Sequence, residues 1–147
     1  MEEIINNLKK YMEWADSLQS LSEEQANTPY QERKWSPKEI LMHMAEWDRF
    51  TLEHRLQRMG ESEKLEDVAW GPFNEQAAKL AKEHSFDEVI ELAKGHRQQI
   101  IDWLEDVDEA EWTKPFNIGE HVLTLEDYFS DFVWHDSHHK EQIESIR

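Results

Sequence analysis

Residues 35–48 of this chain read WSPKEILMHMAEWD, and they predict the first turns of a long helix. Ser36 can cap the helix N-terminus, and Pro37 fits the first helical position, where a missing N–H costs nothing. Glu39 is placed to close a capping box with the serine. The chain therefore enters a helix at a well-defined residue.

This helix should continue to about Arg58, with Gly60 as its stop. Its apolar face carries Ile40 and Trp47, and between them lies His43, at helical spacing on the same face. A histidine among core-facing residues needs a partner, because a buried polar group without one is costly. His43 is therefore a candidate functional residue.

Three further stretches repeat apolar residues every three or four positions, which is typical of amphipathic helices. They run from residue 2 to about 20, from 85 to about 104, and from 124 to about 146. Four long helices predict an all-α four-helix bundle, and the absence of a repeat or of a change in composition predicts a single domain over residues 1–147.

The segments between these helices are polar or broken by Pro and Gly. Residues 22–34 and 60–72 are expected to be loops, and residues 73–82 form either a short helix or an irregular segment. Before the last helix, residues 112–116 and 121–123 are candidates for the two strands of a small hairpin.

Acidic residues outnumber basic ones by 33 to 16 among the 147 residues, which gives a formal net charge of −17. Proteins that bind nucleic acids or anionic membranes usually neutralise phosphates with a basic patch, and no such patch stands out in this sequence. We therefore expect neither partner. The charged start, MEEIINNLKK, and the lack of a long apolar run predict a cytoplasmic protein.

The chain contains no cysteine, which excludes disulfides, zinc–thiolate sites, iron–sulfur clusters and a cysteine nucleophile. Any metal must be held by nitrogen and oxygen atoms. If the chemistry uses a thiol, that thiol has to arrive as a cosubstrate.

His135 and His139 are four residues apart, so on a helix they share one face about 6 Å apart along the axis. Their imidazoles can converge on one ion, at about 2.0 to 2.1 Å each for zinc. The alternative is that one makes an ordinary polar contact and the other is exposed. Both lie on the apolar face that carries Phe132 and Ile143, which favours the metal. Together with His43, they would leave coordination positions open, as catalytic sites do.

His138 is the rival of His139, although its side of the helix is more polar. His54 lies about 16 Å along the axis from His43, too far to join the same ion. Of the other histidines, His84 lies at a helix start, His121 lies in a loop, and His96 lies on the third helix without a spaced partner, and all three are expected to be structural.

Two more groups of side chains near these histidines have a simple structural interpretation. Trp47, Phe50, Phe132 and Trp134 are expected to belong to the core rather than to a cofactor site. Glu46, Asp48 and Asp136 lie close to the candidate ligands and could orient imidazole N–H groups, but surface exposure is the expected position of each.

Residues 35–48 and 128–143, YFSDFVWHDSHHKEQI, resemble the second and last helices of the DinB/YfiT-like superfamily. The resemblance implies an up-down-down-up four-helix bundle, often dimeric, that binds zinc or nickel through three histidines. By position these are His43, His135 and His139, and a shift of one residue would exchange His139 for His138. Members include thiol-S-transferases that use bacillithiol or mycothiol, a thiol-dependent maleylpyruvate isomerase, and stress-induced proteins without an assigned substrate.

We therefore expect a homodimeric, metal-dependent transferase or hydrolase of small electrophilic molecules, with a low-molecular-weight thiol as a possible cosubstrate. The alternative of a different class is a stress protein that binds and sequesters a small molecule without turnover. A bundle in which the three histidines are merely satisfied core residues is the third hypothesis. The negative exterior favours neutral or cationic substrates on approach.

Overall fold

The computed structural model describes residues 1–58, 65 and 67–147, without the side chain of residue 57. Among the described residues there are six α-helices and one two-stranded antiparallel hairpin. In chain order these are α1 (Glu2–Ser17), α2 (Glu23–Ala26), α3 (Pro37–His54), α4 (Trp70–Ala81), α5 (Phe86–Asp106), β1 (Phe116–Ile118), β2 (His121–Leu123) and α6 (Leu125–Glu144). Short 3₁₀ turns follow α1 and α3 and precede β1.

The predicted capping box of α3 is confirmed. The backbone N–H of Glu39 donates to Ser36 Oγ at 3.2 Å, and the backbone N–H of Ser36 donates to Glu39 Oε1 at 3.0 Å. The same reciprocal pairing opens α5 at Ser85 and α6 at Thr124. Each long helix after the first therefore begins where local hydrogen bonds satisfy its free N–H groups.

Helix α3 ends at His54 rather than near Arg58, and several other predicted boundaries differ from the structure or lie outside it. Residues 22–34 are not all loop, because Ser22 and Gln25 form a capping box that opens α2. The uncertain segment at 73–82 lies almost entirely in a regular helix, α4, which begins at Trp70, inside the expected loop 60–72. The hairpin is present, but its first strand is Phe116–Ile118, while Trp112 lies in a 3₁₀ turn. The expected stop at Gly60 lies outside the described residues.

The direction of the long helices follows from contacts between their ends. Lys9 near the start of α1 pairs with Glu105 near the end of α5, and Asp16 near the end of α1 pairs with Lys94 on the first half of α5, both at 2.7 Å. Helices α1 and α5 are therefore antiparallel.

Two other contacts join like ends. Trp14 Nε1 donates to Glu144 at 2.8 Å, which joins the C-terminal ends of α1 and α6. Lys38 Nζ donates to the backbone carbonyl of His84 at 3.0 Å, which joins the N-terminal ends of α3 and α5. Helices α1, α3, α5 and α6 therefore run up, down, down and up, as the family resemblance implies.

Arg97, at the middle of α5, is 1% exposed and lies among these four helices. Its guanidinium donates to both carboxylate oxygens of Asp48 on α3, at 2.8 and 3.2 Å, and to both of Asp136 on α6, at 2.8 and 2.9 Å. It also donates to the backbone carbonyl of Leu8 on α1 at 3.4 Å and lies 3.7 Å from the ring centroid of Tyr11. One side chain thus joins all four long helices.

The expected exposure of three acidic residues is therefore wrong. Asp48 is 1% exposed, and Asp136 and Glu46 are each 8% exposed. Arg97 pairs with both aspartates, and Arg49 Nη2 lies 2.7 Å from Glu46 Oε2. A carboxylate can be buried when a fork of N–H groups replaces its water.

No helix in the part of the chain that the structure describes is both long and apolar enough to cross a membrane.

Candidate metal centre

His43 and His135 approach each other across the interface between α3 and α6. His43 is 4% exposed and His139 is 9% exposed, and His135 is partly buried. His135 and His139 lie one helical turn apart on α6, as their spacing predicts. The fold therefore brings together all three histidines that the sequence singled out.

The three Nε2 atoms converge. His135 Nε2 lies 3.3 Å from His43 Nε2 and 3.1 Å from His139 Nε2, and one nitrogen from each ring lies within 4.8 Å of the other two. Nitrogens bound at about 2.0 to 2.1 Å to a tetrahedral ion lie about 3.3 to 3.4 Å apart. The group can therefore hold a metal ion with little movement.

A hydrogen bond fixes the orientation of the His139 ring. Its Nδ1 lies 2.7 Å from Gln142 Oε1, which can only accept, so Nδ1 carries the hydrogen. The Gln142 amide group donates in turn to the Tyr30 hydroxyl at 3.2 Å, which is consistent with this amide orientation. The lone pair of neutral His139 is therefore on Nε2, toward the other two histidines.

On the other side of the group, His43 Nδ1 and Asn74 Oδ1 are both buried and have no hydrogen-bond partner among the described residues. The two groups are close enough for Asn74 to raise the pKa of His43, against the larger effect of burial. A small movement that pairs Nδ1–H with Oδ1 would leave the His43 lone pair on Nε2 as well.

All three imidazoles are held neutral. Burial, with the neighbouring histidines, lowers the pKa of His43 to about 4 and that of His135 to about 3. Burial also lowers the pKa of His139, against the bond to Gln142. Neutral imidazole is the form that binds a metal, so the group is ready for one at neutral pH.

His138, the rival for the third position, is not part of the converging group, although its ring centroid lies 5.2 Å from that of His139 and it lines the same cavity. It is exposed, and its ring stacks on Trp134 at 5.2 Å between centroids. Trp134 is itself 66% exposed, so its predicted place in the core is wrong. Residues 132 and 134 are about 200° apart around a helix, so only Phe132 faces the core.

The remaining histidines lie outside the group. His54 is exposed beside Glu53, and His84 lies 3.1 Å from Glu88. His96 is partly buried on α5, and His121 is exposed on β2.

The three histidines line a cavity of about 760 Å³, whose wall is largely aromatic. Trp47 and Trp70 line it with their ring centroids 4.6 Å apart, and Phe50 stacks on Trp47 at 5.2 Å. Arg55 and Tyr128 also line it. Its volume is that of a site for a small molecule.

Sequence reasoning did not identify Asn74, Gln142, Arg55 or Arg97 as parts of this region. Gln142 follows His139 by three residues, which places both on one helical face, and this spacing was the available signal. Asn74 and Arg97 come from other helices, and Arg55 lies just past the end of α3, so no local pattern reveals them.

Residues 9–143 match the model of the DinB superfamily. Among solved structures, YfiT from Bacillus subtilis, described as a probable metal-dependent hydrolase with an unusual four-helix bundle topology, has a TM-score of 0.80 and 17% sequence identity. That match covers 99% of this chain and 84% of YfiT.

A mycothiol-dependent maleylpyruvate isomerase has a TM-score of 0.76 and 10% identity, with 97% of this chain and 60% of the isomerase covered. The colibactin self-resistance protein ClbS, in a complex with a dsDNA, has a TM-score of 0.75 and 15% identity, covering 99% and 93% of the two chains. At these identities the similarity shows the fold alone. None of the curated proteins matches the sequence.

Proposed function

The chain belongs to the DinB superfamily, and from this premise we propose that it is a metal-dependent enzyme that acts on small electrophilic molecules. The observation that carries the proposal is the convergence of three neutral imidazoles in the wall of an aromatic cavity. The reaction class is a transfer to a low-molecular-weight thiol or a hydrolysis.

The donor set fits a divalent ion of the zinc or nickel type. Imidazole suits both metals, and three protein ligands leave room for a further ligand. His43, His135 and His139 would hold the ion. When bound, it would supply Lewis-acid chemistry that activates a water or a thiol at neutral pH.

The protein's own groups prepare the site. Gln142 keeps the lone pair of His139 on the inward nitrogen. Trp47 and Trp70 give the substrate an apolar surface, which keeps water from part of the cavity. Since the sequence contains no cysteine, a thiol nucleophile has to enter with the substrate.

Metal analysis of protein purified without a His tag tests the centre. We expect one zinc or nickel ion per chain in the wild type and a large loss in His43→Ala, with full retention in the control His54→Ala. Equal metal content in both variants would contradict the proposed ligands.

Turnover is tested with 1-chloro-2,4-dinitrobenzene plus bacillithiol or mycothiol for transfer, and with p-nitrophenyl acetate for hydrolysis. Formation of more than one equivalent of product per chain in the wild type, and its loss in His43→Ala, would support an enzyme. The aromatic cavity also fits a protein that sequesters a ligand. Saturation at one equivalent with no turnover would favour that second function.

A further inference from the structure

Arg55 is a buried cation in the wall of the same cavity. It follows the last residue of α3, is 3% exposed, and lines the cavity together with the three histidines. Its guanidinium carbon lies 5.2 Å from the ring centroid of Phe50 and 5.9 Å from that of Trp47. The aromatic rings hold this side chain but do not neutralise its charge.

The other arginines of this region are paired with acids. Arg97 is shared by two buried aspartates, and Arg49 on the outer side of α3 pairs with Glu46 and Glu53. Among the described residues, no carboxylate lies within ion-pairing distance of Arg55. A charge buried without a counter-charge is costly, so an anion at this position would gain more than it would on the surface.

Tyr128, which lines the same cavity, lies near Arg55. The Tyr128 hydroxyl is hydrogen-bonded to Thr51 Oγ1 at 3.0 Å. Arg55 is near enough to lower the pKa of Tyr128, although burial raises it overall to about 12. The phenol is therefore neutral and can donate to an anion. The acids of the cavity wall, Asp67 and Asp131, are exposed to solvent.

We propose that this cavity selects substrates that carry a carboxylate, which Arg55 binds, while the planar apolar part of the substrate packs on Trp47 and Trp70. The planar fork of a guanidinium matches the two oxygens of a carboxylate. This inference rests on the proposed function and adds the chemical class of the substrate. It opposes the preference for neutral or cationic molecules that the net charge predicts, because that charge describes the exterior.

Benzoate and benzamide are a matched pair of probes, since they share a ring and differ in charge. Their dissociation constants are measured by tryptophan fluorescence in the protein as purified and after removal of metal by chelation. We expect benzoate to bind at least about tenfold more tightly in both states, as for a charge-assisted hydrogen bond. Equal affinities would overturn the proposal.

Variants test whether Arg55 is the cause of the preference for benzoate over benzamide. We expect it to disappear in Arg55→Gln and to persist in the control Arg49→Gln, which removes an arginine of the same segment outside the cavity wall. Arg55→Lys keeps the charge and should retain part of the preference, which keeps the test decisive if Arg55→Gln does not fold. A preference that survives intact in folded Arg55→Gln, or is wholly lost in folded Arg55→Lys, would overturn the proposal.

His135→Ala separates this proposal from the proposed function. If benzoate still binds preferentially in His135→Ala, the anion site is independent of the histidines. If the preference is lost in His135→Ala, the anion was bound by the histidines or their metal, and the proposal fails. The protein could also bind no metal and show no turnover, yet still need Arg55 to bind benzoate in preference to benzamide. That result would support the anion site and refute the proposed metal-dependent enzyme.

Discussion

Gln142 controls which nitrogen of His139 faces the other histidines, through a hydrogen bond of 2.7 Å. In Gln142→Leu the Nδ1–H would lose its acceptor, and the ring could rotate or change tautomer. We expect the zinc affinity to fall by about 10-fold to 100-fold, as for other partners of metal-binding histidines. Competition with a chromophoric chelator measures this change.

Gln142→Glu is the matched control, because it keeps an acceptor at the same position. Its zinc affinity should stay close to that of the wild type. Equal losses in the Leu and Glu variants would show that the hydrogen bond to His139 is not the cause.

Arg97 is the residue on which the interior depends most. Arg97→Met would leave Asp48 and Asp136 buried side by side without a cation. Breaking a buried ion pair in this way costs about 3 to 5 kcal/mol, whereas Lys9→Met, in the exposed pair with Glu105, should cost about 1 kcal/mol or less. Urea denaturation measures both, and similar losses in the two variants would contradict this account.

The sequence predicted the residues of the candidate metal site better than the residues that hold them in position. His135 and His139 stand at a spacing that has meaning on a helix, so the pair could be identified locally. Arg97 finds its carboxylates 49 and 39 residues away, and no sequence window contains them together. Asp48 and Asp136 were therefore expected at the surface.

At the level of elements, the caps decide where the helices begin. Ser36→Ala would remove the acceptor for the Glu39 N–H at the start of α3, the helix that carries His43. We expect a loss of about 1 kcal/mol in the free energy of unfolding. Ser137→Ala, at an exposed position inside α6, is the control and should cost nothing. An unchanged free energy of unfolding in Ser36→Ala would show that the cap does not stabilise α3.

Caps and long amphipathic stretches are local signals, which is why the four main helices and their first residues were predictable. The short helix α2 carries little periodicity, and its own capping box, Ser22 with Gln25, lies in a polar segment. The first hairpin strand was placed too early because Trp112 and Phe116 are both buried, yet only Phe116 is in a strand.

At the scale of the whole molecule, buried neutral histidines make the metal-free protein sensitive to acid. The pKa values of His43 and His135 in the folded chain, about 4 and about 3, lie below the value of about 6.5 expected in the unfolded chain. Through these two groups the unfolded chain therefore binds more protons as the pH falls below about 6.5, and their contribution to stability is lost toward pH 4, whereas Asp48, whose pKa burial raises to about 6, acts in the opposite direction.

We expect each of these two imidazoles to lower the free energy of unfolding by about 1 to 2 kcal/mol between pH 6.5 and 5. Urea midpoints of chelated protein across this range measure the slope. His135→Gln should show a shallower pH dependence than the wild type, and an unchanged slope would contradict the assignment to the histidines.

His43 and His135 touch across the bundle although 92 residues separate them in the chain. An ion held between them would therefore close a loop that includes most of the protein, in a sequence that has no cysteine to form such a link. In the chain-entropy treatment, a permanent closure of about this length is worth about 4 to 5 kcal/mol. Metal supply would then govern the amount of folded protein as well as its chemistry, so the proposed ion would act as a reversible cross-link.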